Sequence, residues 1–305
     1  ETPWEKYFDS DKTIAIDATV HSDRFRNSLF VAQKTKDGIV DRFRDQSGKR
    51  PSVDLKNPDI RINVHIQNHF CTLSLDSSGE SLHKRGYRVE VDKAPLSEVL
   101  AAGILSLMDW QGKGPLLDPM CGSGTFLTEA ALFASNVPVN VFRKQFSFQN
   151  WKDYDAALFD TIFESSMKKE NRDLPPIYGF DIDPQIGAKA RRNVKNALME
   201  DVIKVQKRNF LNWPEDEKVA PGTTLIMNPP YDLKLEADIP ELYKGIGDSL
   251  KQHFSGCTAW VFTASAEGLK HLGLKPTKKI PLKNAKLDSW LVRYDLYEGS
   301  KKASN

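Results

Sequence analysis

The stretch LLDPMCGSGTFLTEA occupies residues 116–130, and its reading decides the fold. Two leucines end at a carboxylate, Asp118. A turn carrying Gly122 and Gly124 follows, and a helix-like run opens at Thr125. Strand, glycine turn and helix in that order place a ligand at the carboxyl edge of the strand, against the helix N-terminus. Glycines there let the backbone approach a ligand and adopt positive φ. A dinucleotide site would need a third glycine three residues after Gly124, where Leu127 stands, and an acid about 20 residues on, which is absent. The string GxxxxGK[ST] is not matched either, so a P-loop is excluded.

Working outward, the pattern around this turn alternates strands and helices. Ala94 to Trp110 reads as a helix with Pro95 at its start. Strands are expected at 115–117, 176–180, 202–206, 223–227 and 257–263, with helices over 125–135, 185–199 and 239–254. That rhythm predicts a doubly wound, mostly parallel sheet. Residues 276–282 and 289–297, joined by KNAKLD, predict a closing antiparallel hairpin. The last residues, 298–305, are polar and expected to fray.

Two further strand tips carry chemistry. IYGFDIDP (177–184) ends in Asp181 and Asp183 before Pro184 opens a helix. A carboxylate at the tip of the second strand can take both hydroxyls of a ribose. Asp181 suits that role, and Asp183 suits a helix cap. TLIMNPPYD (224–232) runs an apolar strand into Asn228-Pro229-Pro230-Tyr231. Two prolines force the chain out of the sheet. They leave the carbonyls of Asn228 and Pro229, with the Asn228 amide, as acceptors for an exocyclic NH₂. Tyr231 offers a ring on which a base can stack.

The first 90 residues follow another plan. TIAIDATV (13–20) alternates like a half-buried strand, 27–46 has helical spacing, and 60–66 and 70–76 form a hairpin about Asn68-His69. These elements predict a small α+β domain over 1–90, followed by a second domain over 91–305. His65 and His69 fall on the hairpin and read as surface residues, not metal ligands. The chain begins at Glu1, not Met, so the N-terminal part of the first domain is expected to be missing.

Composition sets the limits. Lys plus Arg is 43 and Asp plus Glu is 41, a net +2, so nucleic-acid affinity must come from local patches. One is the lysine-rich run 270–286, which includes Lys278, Lys279 and Lys283 and contains no acid. It reads either as a phosphate contact or as a charged edge that blocks aggregation. Another is Lys84, Arg85 and Arg88 at the junction, either an RNA guide or linker charge. Three scattered cysteines exclude a disulfide scaffold and fit a reducing cytosol. No apolar run is long enough to span a membrane.

The string Asp-Pro-x-Cys-Gly-Ser-Gly-Thr with a later Asn-Pro-Pro-Tyr resembles S-adenosylmethionine-dependent amino methyltransferases. More narrowly, the chain resembles bacterial THUMP-domain RNA methyltransferases of the UPF0020 type, which modify guanine N2 in large-subunit ribosomal RNA. The likeness extends through LFVAQKTKDGIVDRFRDQSGKRP, LDSSGESLHKRGYR, KAPLSEVLAAGIL, FRKQFSFQNWKDYD and KNAKLDSWLVRYDLYEG. It implies a Rossmann-like class I methyltransferase domain after a THUMP RNA-binding domain, in a cytoplasmic enzyme.

By that resemblance Asp118, Pro119, Cys121, Gly122, Gly124 and Thr125 line the methionine part of S-adenosylmethionine. Asp181 and Ile182 hold the ribose side, and Asn209 and Phe210 the adenine side. Asn209 stands where relatives usually carry an acid. Asn228, Pro229, Pro230 and Tyr231 receive the target amine and base, with Asn228 also bordering the cofactor. Asp232 stands where glycine is expected. The implied substrate is large-subunit ribosomal RNA, with no metal. Other readings of the same residues are a transfer-RNA guanine-N2 methyltransferase, an adenine-N6 nucleic-acid methyltransferase, and a non-catalytic RNA-binding ribosome assembly factor.

Overall fold

The computed structural model describes residues 2–90, 95–138, 140–217, 219–230 and 238–297. The chain divides into two compact units, Glu1–Leu82 with Arg143–Ser165, and His83–Phe142 with Ser166–Asn305.

In the first unit β1 (Thr13–His21), α1 (Ser28–Ser47), β2 (Ser52–Val53), β3 (Ile60–Gln67) and β4 (Phe70–Leu75) form a sheet in the order β2-β1-β3-β4. β1 lies parallel to β2 and β3, and β4 is antiparallel to β3. Alternation explains the faces: Ile60, Ile62, Val64 and Ile66 are buried while Asn63, His65 and Gln67 are exposed. The Asn27 side chain caps α1 by accepting from Phe30 N, and Gly48 ends it at φ 71°. Asn68-His69 forms the expected hairpin turn, with Asn68 at φ 54°. Val40, Ile39 and Phe43 of α1 pack with Ile14, Ile60, Trp4 and Phe8.

Segment 143–165, placed by the sequence reading inside the catalytic domain, completes this first unit. Phe148 N donates to Ser77 O at 3.0 Å, and Lys152 N to Tyr7 O at 2.9 Å. Arg143 reaches the carbonyls of Ser78, Glu80 and Ser81. Phe146, Phe148, Tyr154 and Phe159 form an aromatic cluster, and most of a helix over Ala156–Met167 belongs here.

The second unit holds α2 (Glu98–Leu107), β5 (Leu116–Asp118), α3 (Thr125–Ala134), β6 (Ile177–Asp181), α5 (Pro184–Asn196), β7 (Ile203–Lys207), β8 (Thr224–Met227), α6 (Asp238–His253), β9 (Thr258–Thr263), α7 (Ala266–His271), β10 (Lys278–Asn284) and β11 (Leu287–Asp295), α4 being the Ala156–Met167 helix above. The sheet order is β10-β11-β9-β8-β5-β6-β7. The central five strands are parallel, and β11 and β10 are added antiparallel. This is the doubly wound sheet with a closing hairpin that the sequence predicts. The hairpin turn is tighter than expected, at Ala285-Lys286, with Asn284 paired to Leu287.

Adjacent residues of β5 feed opposite cores. Leu116 joins α2, α3 and α5 residues on one face, and Leu117 joins α6 residues on the other. Two helices go beyond the sequence reading. α4 buries no residue, although Leu158, Phe159, Ile162 and Phe163 recur at helical spacing, and α7 has only six residues.

Candidate active site

The chain leaves β5, builds β6 and β7 to one side, then returns to lay β8 on the other. The carboxyl end of β5 is therefore a topological switch point, where doubly wound sheets open a crevice. Three predicted groups meet there. Asp118 is level with Gly179 on β6, so Asp181 lies two residues further out. Leu117 is level with Leu225 on β8, so Asn228 also overshoots Asp118 by two residues. Asp181 and Asn228 thus stand on the two strands that flank β5, each two residues beyond Asp118.

Asp118 is buried, and its Oδ1 accepts from Met120 N at 3.1 Å. Burial pushes its carboxyl up to about 8; the Met120 hydrogen bond opposes this and the Asp181 charge adds to it. A cation placed beside Asp118 would restore its charge. Pro119 is buried behind it.

Gly122 and Gly124 take φ of 54° and 82°, as a turn this tight requires. A Cβ on Gly124 would also press Ala190 Cβ of α5 at 3.3 Å. Gly124 is the N-cap of α3 and offers no side chain, so the first N–H groups of α3 have no side-chain cap. Cys121 serves packing. Its N donates to Phe180 O at 2.8 Å, and its thiol is buried, which raises its pKa.

Asp181 is held on both oxygens. Oδ2 accepts from Gly122 N at 3.1 Å and Oδ1 from Asp183 N at 2.9 Å. Through these two bonds the glycine turn is tied to the end of β6. Asp183 caps α5 by accepting from Gln185 N at 2.7 Å, with Pro184 as the first helical residue. Ile182 stands 62% exposed beside it, an apolar side chain open at the strand tip. Asn209 Oδ1 accepts from Leu211 N at 3.0 Å and caps a short 3-10 turn over Phe210–Asn212. The Phe210 ring, read from the sequence as a cofactor contact, is committed to the core against Trp213 and Phe254.

At the tip of β8, Asn228 Oδ1 is buried and has no hydrogen-bond partner among the described residues. An orphaned acceptor of this kind costs stability until something donates to it. Pro229 is buried and Pro230 exposed. Tyr231 and Asp232 lie outside the described residues.

The junction bases do not form a phosphate patch. Arg85 is buried against Glu129 at 3.5 Å, and Tyr87 Oη donates to the same carboxylate at 2.9 Å. Arg88 Nε pairs with Glu98 at 2.9 Å, the two side chains being 10% and 6% exposed. Its Nη2 donates to Leu96 O and to Thr125 Oγ1, both at 2.9 Å. Arg85 and Arg88 are drawn inward by acids on α3 and α2, which removes them from RNA contact; Lys84 is exposed. Lys278, Lys279 and Lys283 are exposed on the edge strand β10, with Lys279 over the Trp290 ring at 5.0 Å and Lys283 3.3 Å from Asp288.

Asn193 escaped the sequence reading. Its Oδ1 accepts from Val89 N and Glu90 N, and its Nδ2 donates to Glu90 O and to Ser123 O in the glycine turn. A polar residue on the stripe otherwise made of Gly187, Ala190 and Val194 was the available signal.

A family model described as RMKL-like, methyltransferase domain, matches residues 85–293, and a THUMP domain model matches residues 1–76. A Synechocystis protein provisionally named an RNA methyltransferase is 39% identical, over 96% of this chain and 77% of its own length. The ribosomal RNA large subunit methyltransferase K/L of Syntrophotalea carbinolica is 38% identical over 97% of this chain, which spans only 43% of that relative. The crystal structure of SMU.472, provisionally named a methyltransferase and complexed with SAH, superposes with a TM-score of 0.84 at 26% identity, covering 98% of this chain and 78% of that one.

Proposed function

The chain belongs to the RMKL-like methyltransferase family and carries a THUMP domain, and from that premise we propose that it is a cytoplasmic S-adenosylmethionine-dependent RNA methyltransferase whose target is the exocyclic N2 amine of a guanine in large-subunit ribosomal RNA. The observation that carries this reading is the orphaned Asn228 Oδ1 at the tip of β8. An exocyclic amine supplies two N–H donors, the chemistry that this acceptor lacks.

The residues present fit the cofactor. Asp118, a buried carboxyl whose charge a neighbouring cation would restore, suits the amino group of the methionine part. The uncapped start of α3 suits its carboxylate. Asp181, immobilised on both oxygens, suits the ribose, and Ile182 suits the adenine face. When bound, the cofactor supplies an electrophilic methyl group on a sulfonium. The chain's own task is then orientation. Asn228 and the Pro229 carbonyl accept from the amine and turn its nitrogen toward the switch point. No general base is needed there, because in-line placement does most of the work. A guanine in a stem must be flipped out to reach Asn228.

The test is methyl transfer from labelled S-adenosylmethionine to protein-free ribosomal RNA and to bulk transfer RNA, followed by nucleoside separation. The expected product is N2-methylguanosine in large-subunit RNA, lost in Asn228→Ala with binding of S-adenosylhomocysteine retained. Label in N6-methyladenosine, or in transfer RNA alone, would replace the proposed substrate. Absence of cofactor binding would leave the assembly-factor reading.

A further inference from the structure

We infer that Arg88 is a positioning residue that makes the Thr125 hydroxyl an obligate donor, and thereby selects for the carboxylate of the cofactor. The inference rests on the cofactor placement proposed above and assigns a role to a residue that touches no ligand in it.

A hydroxyl has one proton and two lone pairs, and the proton turns to suit its surroundings. Arg88 Nη2 donates to Thr125 Oγ1 at 2.9 Å. A guanidinium has no acceptor, so the Thr125 proton must point elsewhere. Among the described residues, that hydroxyl has no acceptor to point to. Thr125 is buried as the first residue of α3, directly after the Gly124 turn, where the N–H groups have no side-chain cap. Its free O–H and those N–H groups therefore form one set of donors at the positive end of a helix.

The guanidinium does not attract the anion directly. Glu98 pairs with it at 2.9 Å, and both side chains are nearly buried. The pair is close to neutral, and its effect on an incoming anion runs through Thr125. The geometry is well fixed, since the same nitrogen holds Leu96 O at 2.9 Å and so ties the start of α2 to the start of α3. A lysine could supply the charge but not the fork that bridges Glu98, Leu96 and Thr125.

The test is calorimetric binding of S-adenosylhomocysteine and of its decarboxylated analogue. In Arg88→Met, affinity for S-adenosylhomocysteine is expected to fall about tenfold to a hundredfold, the range of one charge-assisted hydrogen bond, and that for the analogue by less than about twofold. Thr125→Val should show the same selective loss, and the double variant should be no worse than the weaker single one. Equal weakening of both ligands in Arg88→Met, or none, would overturn the proposal. If Arg88→Met fails to fold, Thr125→Val decides alone: unaltered preference for the carboxylate rejects it. Wild-type protein that binds neither ligand overturns the underlying cofactor placement, and this inference with it.

Discussion

Gly179 of β6 and Leu127 of α3 approach so closely that a methyl group on Gly179 would overlap Leu127 Cδ1 and lie 3.2 Å from Cys121 Sγ. Leu127 stands where a dinucleotide fold would carry its third glycine. Here the small residue is on the strand and the large one on the helix, so α3 still seats closely on the sheet while its first turn contributes Leu127 to the core.

Gly179→Ala tests this contact. Leu127 is fully buried and has little room to rotate. Overpacking of this kind costs about 1–3 kcal/mol. Urea unfolding should show that loss, with a weaker affinity for S-adenosylhomocysteine because the glycine turn is displaced. A variant as stable as wild type would mean that Leu127 finds another rotamer.

Asn193→Ala should destabilise the protein by more than a surface change. It leaves Val89 N, Glu90 N, Glu90 O and Ser123 O without their partner. Each such group, if it stays buried, costs about 1–3 kcal/mol, and water entry reduces the total. Thermal melts measure the loss. Hydrogen exchange at the glycine turn should quicken more than exchange in the first unit.

Asp118 sets a pH dependence of unusual sign for a carboxylate. Its folded value is raised from 3.8 to about 8, so the folded state holds the proton more tightly than the unfolded one. The stability from Asp118 is present in full below its ordinary value and is lost as pH rises toward about 8. Without cofactor, the melting temperature of wild type relative to Asp118→Asn should fall between about pH 5 and about pH 9. A flat difference across that range would show that Asp118 ionises freely.

Lys278, Lys279 and Lys283 lie together on an edge strand. If they contact phosphates, changing all three to Ala lowers the slope of log affinity for RNA against log salt by about 2 to 3. S-adenosylhomocysteine binding should not change. An unchanged salt slope would leave them as edge protection only.

The strand tips were legible in the sequence because each is a local motif: Asp118 with its glycines, Asp181 before Pro184, and Asn228 before two prolines all report on their own backbone. The fates of Arg85 and Arg88 were not. Their inward course depends on Glu129, 44 residues away, and on Glu98, whose burial no periodicity announces. The core position of the Phe210 ring was hidden for a similar reason: its partner Phe254 is distant in sequence, and only the packing of α6 brings it near. Segment 143–165 is held by Tyr7, Asp59 and Ser77, contacts too long-range for pattern or composition to signal.

That segment also dictates an order of events at the ribosome. The first unit cannot close until residue 165 has been made, although its sheet is complete by Leu75. At typical synthesis rates the wait is on the order of 10 s. During it, the binding sites for residues 143–165 around Ser77 and Asp59 stand open, and the chain must first emit β5 and the whole glycine turn. Neither unit can be released by one cut, because the polypeptide passes between them three times. Proteolysis should therefore nick the molecule without separating its halves.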